Sequence, residues 1–218
     1  MIRLTAVSNS VIQRPSLTWS LLTLLAVLAT PASLPAHEKH QHGEQAKTAE
    51  SGGSVPVAPK QCKFPNSSLV TSDEERIQFY DDLVKDKTVA ISFVYTDCTT
   101  ICSPIAINMG FLEDLLGDRM GSTVHLISVS IDPVTDTPAR LRIWSERFTP
   151  GPYWKFVTGK KRVVDDLLKS LNVFTPDYRD HPPIMIVAND KSRDCTYVNG
   201  LSSPKKLREV IDRIADGG

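Results

Sequence analysis

No stretch of this 218-residue chain holds the about 20 consecutive apolar residues that a membrane-spanning helix needs. An excess of one charge is missing too, since Lys+Arg and Asp+Glu both number 25, and the totals therefore point to no nucleic-acid or anionic-surface partner. Cysteine is scarce. Four residues, Cys62, Cys98, Cys102 and Cys195, are too few to build a small disulfide scaffold. The hydrophobic share is 41%, lowered in part by a polar stretch before residue 60. From there to the end the chain is long enough to bury roughly 70% of its unfolded surface in one core.

The one apolar run near the start, Leu17 to Ala29, follows a segment whose only charges are Arg3 and Arg14. That is the pattern of a secretory signal, and residues 1–36 are expected to be a signal peptide cut after Ala36 or, alternatively, an uncleaved N-terminal anchor. Either outcome places the body of the protein outside the cytoplasm, in the periplasm or on the outer face of the cytoplasmic membrane. Disulfides persist there. Residues 37–60 lack periodic apolar positions and read as a disordered linker. It contains His37, His40 and His42; a solvated tether is the plain reading, and a metal-collecting cluster is the sharper one.

From Lys60 onward, extended and helical patterns alternate. Leu69-Val70 and Ile77 to Tyr80 read as short strands around a Ser72-Asp-Glu-Glu turn, followed by a brief helical or turn segment from Asp81 to Lys87. Val89 to Tyr95, β-branched and aromatic, reads as a central strand. Ile105, Met109, Leu112 and Leu116 then recur at helical spacing, with Gly117 or Gly121 as the stop. Val124 to Ile131 is a second apolar run ending at Asp132-Pro133. Thr137-Pro138 opens a helix, with Thr as N-cap and Pro at its first position. Tyr153 to Val157 predicts a strand, Val163 to Leu171 a helix, and Ile184 to Ala188 with Cys195 to Val198 a hairpin. A last helix follows Ser203-Pro204. The expected fold class is an α/β sandwich, a central mixed sheet flanked by helices.

The stretch Phe93-Val-Tyr-Thr-Asp-Cys-Thr-Thr-Ile-Cys-Ser-Pro104 carries the chemistry. Strand gives way to helix there, with Cys98 expected at the helix mouth and Cys102 on the same helix face. A helix N-terminus favours the thiolate form of a cysteine placed there. The pair can form a disulfide, hold a metal ion, or exchange between the two. A strand entering a helix through paired cysteines, followed by a hairpin, resembles the thioredoxin arrangement. In that topology the strand after Pro183 runs antiparallel to the central one, so that His181 faces the cysteine pair and Asp132 lies near the same rim. Asp132 is expected mainly to cap the turn that follows it. Two thiolates and one imidazole make a soft three-ligand site suited to Cu(I) and able to hold Cu(II). His125, inside a strand-like run, reads as a core or edge histidine with no ligand role.

These motifs resemble a known family. Residues 93–104 are similar to the F-x-x-T-x-C-x-x-x-C-P stretch of the Sco (SenC-type) proteins. Ser128-Val-Ser-Ile-Asp-Pro-Val-Thr-Asp-Thr-Pro138 resembles their S-V-D-P-x-x-D-T-P segment, and Trp154-Lys-Phe-Val-Thr-Gly159 their W-x-F-L-T-G strand. Asp180-His181 falls where the family has its D-H pair. The resemblance covers about residues 64–216. It implies a thioredoxin-like domain over 61–218 and copper held by Cys98, Cys102 and His181. The implied partners are the cytochrome c oxidase subunit with the dinuclear copper centre, or another exported cuproprotein, and a thioredoxin-like reductant. The chain departs from the pattern at Ser103, which separates Cys102 from Pro104, and at the Ser72-Asp-Glu-Glu turn, where the family has a Gly-rich one. With Cys98 and Cys102 assigned to the metal by resemblance, Cys62 and Cys195 are expected either to bridge one another or to remain two free thiols. A metallochaperone is the first functional expectation. The alternative is a thiol–disulfide oxidoreductase or redox sensor, with Cys98 as the attacking and Cys102 as the resolving thiol.

Overall fold

Val89, Ala90, Ile91 and Val94 have no solvent exposure at all, which makes their strand the middle of the molecule. The computed structural model describes residues 62–217, so residues 1–36 and the linker with His37, His40 and His42 lie outside the described part. Within that part seven strands form one sheet: β1 (Ser68–Thr71), β2 (Arg76–Gln78), β3 (Thr88–Val94), β4 (Val124–Ser130), β5 (Trp154–Thr158), β6 (Ile184–Asn189) and β7 (Cys195–Asn199). Their order is β2-β1-β5-β4-β3-β6-β7. β3, β4 and β5 are parallel, while β6 runs antiparallel to β3 and β7 antiparallel to β6. The mixed sheet expected from the alternating pattern is present. Strand β3 is an unbroken buried run because it is covered on both faces, as central strands of such sheets are.

Among the described residues four α-helices cover the sheet: α1 (Cys102–Leu116), α2 (Pro138–Ser145), α3 (Lys161–Ser170) and α4 (Pro204–Ala215). The apolar face of α1 buries Ile105, Met109, Leu112 and Leu116, each such side chain contributing about 1.5–3 kcal/mol. Gly117, at φ 50°, stops the helix. Thr137 and Ser203 cap α2 and α4 by accepting the N–H groups of Arg140 and Lys206. Inside the sheet Ser92 and Ser128 share a 2.8 Å hydrogen bond, and the Trp154 indole N–H donates to Ser128 at 3.0 Å.

Two local expectations are corrected. The second strand ends at Gln78, and Phe79–Val84 forms a π-helical turn that already includes Tyr80. The Asp82 carboxylate accepts the N–H of Gln78, the last extended residue, at 2.7 Å and so folds the following turn back onto the strand end. The site helix, in turn, begins at Cys102 and leaves Cys98 in the bend before it. Thr99, Thr100 and Ile101 are β-branched, which disfavours a helical start so early.

Candidate metal and thiol site

Three segments that end on the same rim of the sheet build the site. The first is the turn after β3, where the Cys98 N–H donates to the Tyr95 carbonyl at 3.1 Å. The second is the start of α1, whose first residue is Cys102. Although the two cysteines do not share a helix face, their sulfurs converge: the Cys102 N–H donates to the Cys98 sulfur at 3.3 Å. Both are buried, Cys98 with 8% of its surface exposed and Cys102 with none, so Cys98 lies nearer the surface. Both are free thiols.

The third segment is Tyr178–Pro183, which leads into β6. Because β6 runs antiparallel to β3, its start lies beside the end of β3. His181, 7% exposed, sits there with its Nε2 3.9 Å from the Cys102 sulfur. Its Nδ1 is 3.0 Å from the Pro182 carbonyl, which can only accept, so Nδ1 carries the proton and Nε2 turns its lone pair to Cys102. The Gly200 N–H in turn donates to the Pro183 carbonyl at 2.7 Å and pins the segment. Tyr95 packs edge-on against both Tyr178 and His181.

Burial pushes the His181 imidazole below its ordinary value, against the Pro182 hydrogen bond, which favours the neutral form needed of a ligand. Burial also works against the Cys98 thiolate. It is outweighed by hydrogen bonds from the Cys102 thiol, the Thr100 and Cys102 backbone N–H groups and the Thr100 hydroxyl, and Cys98 is lowered to about 7. Cys102 moves the other way, raised well above the usual thiol range by burial and by its Cys98 neighbour. One sulfur is thus ready to act near neutral pH, and the other holds its proton against the imidazole. Among the described residues no three Cys, His, Asp or Glu side chains already stand close enough to enclose a metal ion.

The SCO1/SenC family profile matches residues 65–216. The chain belongs to the SCO1/SenC family. Among its relatives, a SCO2-like protein of Rickettsia conorii is 28% identical over 147 residues, covering 61% of this chain and 68% of that one. The crystal structure of Arabidopsis thaliana ScoI with copper bound is 22% identical with a TM-score of 0.59, covering 72% of this chain and 99% of that one. BsSco, described as a member of the Sco family of cytochrome c oxidase assembly proteins, is 18% identical with a TM-score of 0.59, covering 75% and 96%. The fold is that of Sco proteins, thioredoxin-like and α/β.

Beyond the SCO1/SenC motif residues singled out from sequence, Asp136 organises the site. It is 1% exposed and gathers the Thr96 N–H at 3.1 Å, the Thr96 hydroxyl at 2.6 Å and the Ser130 hydroxyl at 2.7 Å. Thr96 lies two residues before Cys98, so this carboxylate fixes the cysteine turn to the end of β4. Burial raises its pKa despite those three donors. The signal was present as the second Asp of the Ser128–Pro138 segment, but a motif position does not say what it binds. Asp132 caps the turn after β4: its carbonyl accepts from Thr135 and Asp136, and its carboxylate from the Thr135 N–H. It also raises the Tyr178 phenol. His125 lies toward the opposite end of the sheet, edge-on to Tyr153, with its pKa lowered by burial. Cys62 and Cys195 form a disulfide, with Cα atoms 5.7 Å apart. Cys195 opens β7 opposite Ala188, whereas the His181 end of the sheet lies at Ile184. The bridge and the site therefore occupy opposite ends.

Proposed function

We propose that this chain is an exported copper-binding protein that acts as a copper chaperone and thiol reductant in assembly of the copper centre of cytochrome c oxidase. Its cargo is a single copper ion taken by Cys98, Cys102 and His181. The observation that carries the reading is the approach of the His181 Nε2, its lone pair set by Pro182, to the buried Cys102 sulfur at 3.9 Å. A hydrogen-bonded second nitrogen is how metal-binding imidazoles are usually oriented. Two sulfurs and one nitrogen suit copper better than harder ions. The copper-bound Arabidopsis ScoI and the description of BsSco support cargo and client class for this chain.

Each residue has a task in loading. Cys98 presents a thiolate near neutral pH, Cys102 gives up the proton it shares with His181, and both thiols must be reduced first. A disulfide between them closes the site, and a thioredoxin-like reductant reopens it. Export rests on the signal pattern of residues 1–36. Among the described residues no helix is long and apolar enough to cross a membrane.

The lowered value of Cys98 favours a second reading, a thiol–disulfide oxidoreductase in which Cys98 attacks and Cys102 resolves. One variant separates the two. His181→Ala is expected to lose stoichiometric copper, measured by metal analysis after competition with a Cu(I) chelator, while keeping two titratable thiols. Undiminished copper in that variant would overturn the three-ligand site. Catalytic turnover of disulfide substrates by the metal-free protein would favour the enzyme.

A further inference from the structure

One flank of the site carries apolar side chains facing solvent. Ile107 and Phe111, four residues apart on one face of α1, are 48% and 56% exposed, and Ile143 on α2 is 66% exposed. Scattered exposed apolar residues are ordinary. These border two adjoining grooves. The first, about 230 Å³, runs past Ile107, Phe111 and Phe148. The second, about 360 Å³, is lined by Ile143 together with Thr96 and Asp97, the residues leading directly into Cys98. Arg147 belongs to the wall of both.

Arg147 is held in place. Its Nε donates to the Trp144 carbonyl at 3.1 Å, and its guanidinium lies 5.2 Å from the Trp144 ring centre and 5.5 Å from that of Phe148. Among the described residues no carboxylate pairs with it. Its neighbours along the grooves are mostly engaged. Arg140 pairs with Asp97 at 2.7 Å, and Glu113 accepts the Gly151 N–H at 3.1 Å; Asp114 borders the first groove. A planar guanidinium fixed on aromatic rings presents its remaining donors in a defined direction, a match for a carboxylate.

We propose that this surface is the docking track for an acidic, apolar segment of a protein partner. A carboxylate of that segment sits on Arg147, apolar side chains lie on either side against Phe111 and Ile143, and the partner's own cysteine is brought to Cys98. The inference deepens the functional reading by naming how a client or reductant is recognised, and it rests on that reading only for Cys98 being the sulfur that meets the partner.

The test uses the full chain, reduced, with Cys102→Ser so that a mixed disulfide is not resolved. Two synthetic peptides serve as probes, each with one cysteine activated as its 2-pyridyl disulfide. One carries Glu and Leu around the cysteine, and the other has Lys in place of each Glu. The Cys98 thiolate attacks the peptide sulfur, a mixed disulfide forms, and pyridine-2-thione leaves and is read by absorbance. The acidic peptide is expected to react about tenfold faster at low salt, an advantage that salt erodes. Arg147→Glu should reverse the order while leaving the rate with uncharged dipyridyl disulfide unchanged, and Phe111→Ser should slow the acidic peptide alone. Equal rates for the two peptides, or a preference that Arg147→Glu leaves in place, would overturn the proposal. So would capture by phosphatidylglycerol vesicles that Arg147→Glu abolishes, which assigns the surface to lipid headgroups. The readout contains no metal, so its failure and a failure of copper binding are told apart.

Discussion

The backbone N–H of Cys102 points at the Cys98 sulfur from 3.3 Å. A hydrogen bond from the first residue of a helix stabilises a thiolate in front of it, and it makes two chemically similar residues behave differently. Alkylation of the reduced protein is expected to label Cys98 with a pH–rate curve half-maximal near 7, and to leave Cys102 unlabelled until far more alkaline conditions. The sign follows from the thiolate being the nucleophile, so the rate rises with pH through the Cys98 value. Peptide mapping of the adducts checks the order, and early labelling of Cys102 contradicts it.

Copper loading should respond to pH through both sulfurs, and above the Cys98 value through Cys102 alone. Cys102 retains its proton well above the usual thiol range, whereas His181 is neutral already. Taking up the ion therefore releases a proton from Cys102, and the apparent affinity for Cu(I) is expected to increase from mildly acidic to mildly alkaline buffer. Chelator competition across that range measures it. A profile that levels off once pH passes the Cys98 value would mean that Cys102 is not a ligand.

Asp136→Ala leaves the Thr96 N–H and the Thr96 and Ser130 hydroxyls without their acceptor. Stranded buried donors cost about 1–3 kcal/mol each before any relaxation, so a marked fall in the urea midpoint is expected, with slower alkylation of Cys98 as its turn loosens. Asp136→Asn keeps one acceptor oxygen and should recover part of both. The folded-state pKa of this carboxylate is raised, so its contribution to stability is fully present below the unfolded carboxylate value and is lost as pH rises through the raised one. Unfolding measured over that acidic window should slope in the wild type and flatten in Asp136→Asn.

Separating Cys62 from Cys195 tests the staple alone. The two residues are 133 positions apart, and a cross-link closing so long a loop stabilises by about 2–4 kcal/mol. The double variant Cys62→Ser, Cys195→Ser is expected to unfold at lower denaturant yet bind copper with unchanged stoichiometry, because the bridge lies at the other end of the sheet. Lost copper in a folded double variant would connect the two ends.

Much of this was legible beforehand, for physical reasons. Thr137-Pro138 and Ser203-Pro204 announce helix starts because a hydroxyl cap and a proline at the first position solve the same problem of orphan N–H groups. The antiparallel β6 followed from the resemblance to the thioredoxin arrangement, and with it came the meeting of His181 and Cys102. What stayed hidden depends on side-chain partners distant in sequence. Asp136 binds Thr96, 40 residues away, and no periodicity carries that information. The helix starts later than Cys98 because residues four apart share a face only where a helix spans them both, and spacing alone does not supply that helix. The tautomer of His181 rests on a carbonyl whose direction only the folded backbone sets.

Between Cys102 and His181 the chain lays down β4 and β5 on one side of β3 and then returns to pair β6 on the other. The 3.9 Å approach of imidazole to thiol therefore bridges 79 positions of chain and is set by the pairing of β6 with β3. A chain that has not yet made that pairing has its sulfurs but not its nitrogen in place. On the three-ligand proposal, retention of the cargo would then report that this pairing is complete, and the site would double as a check on folding.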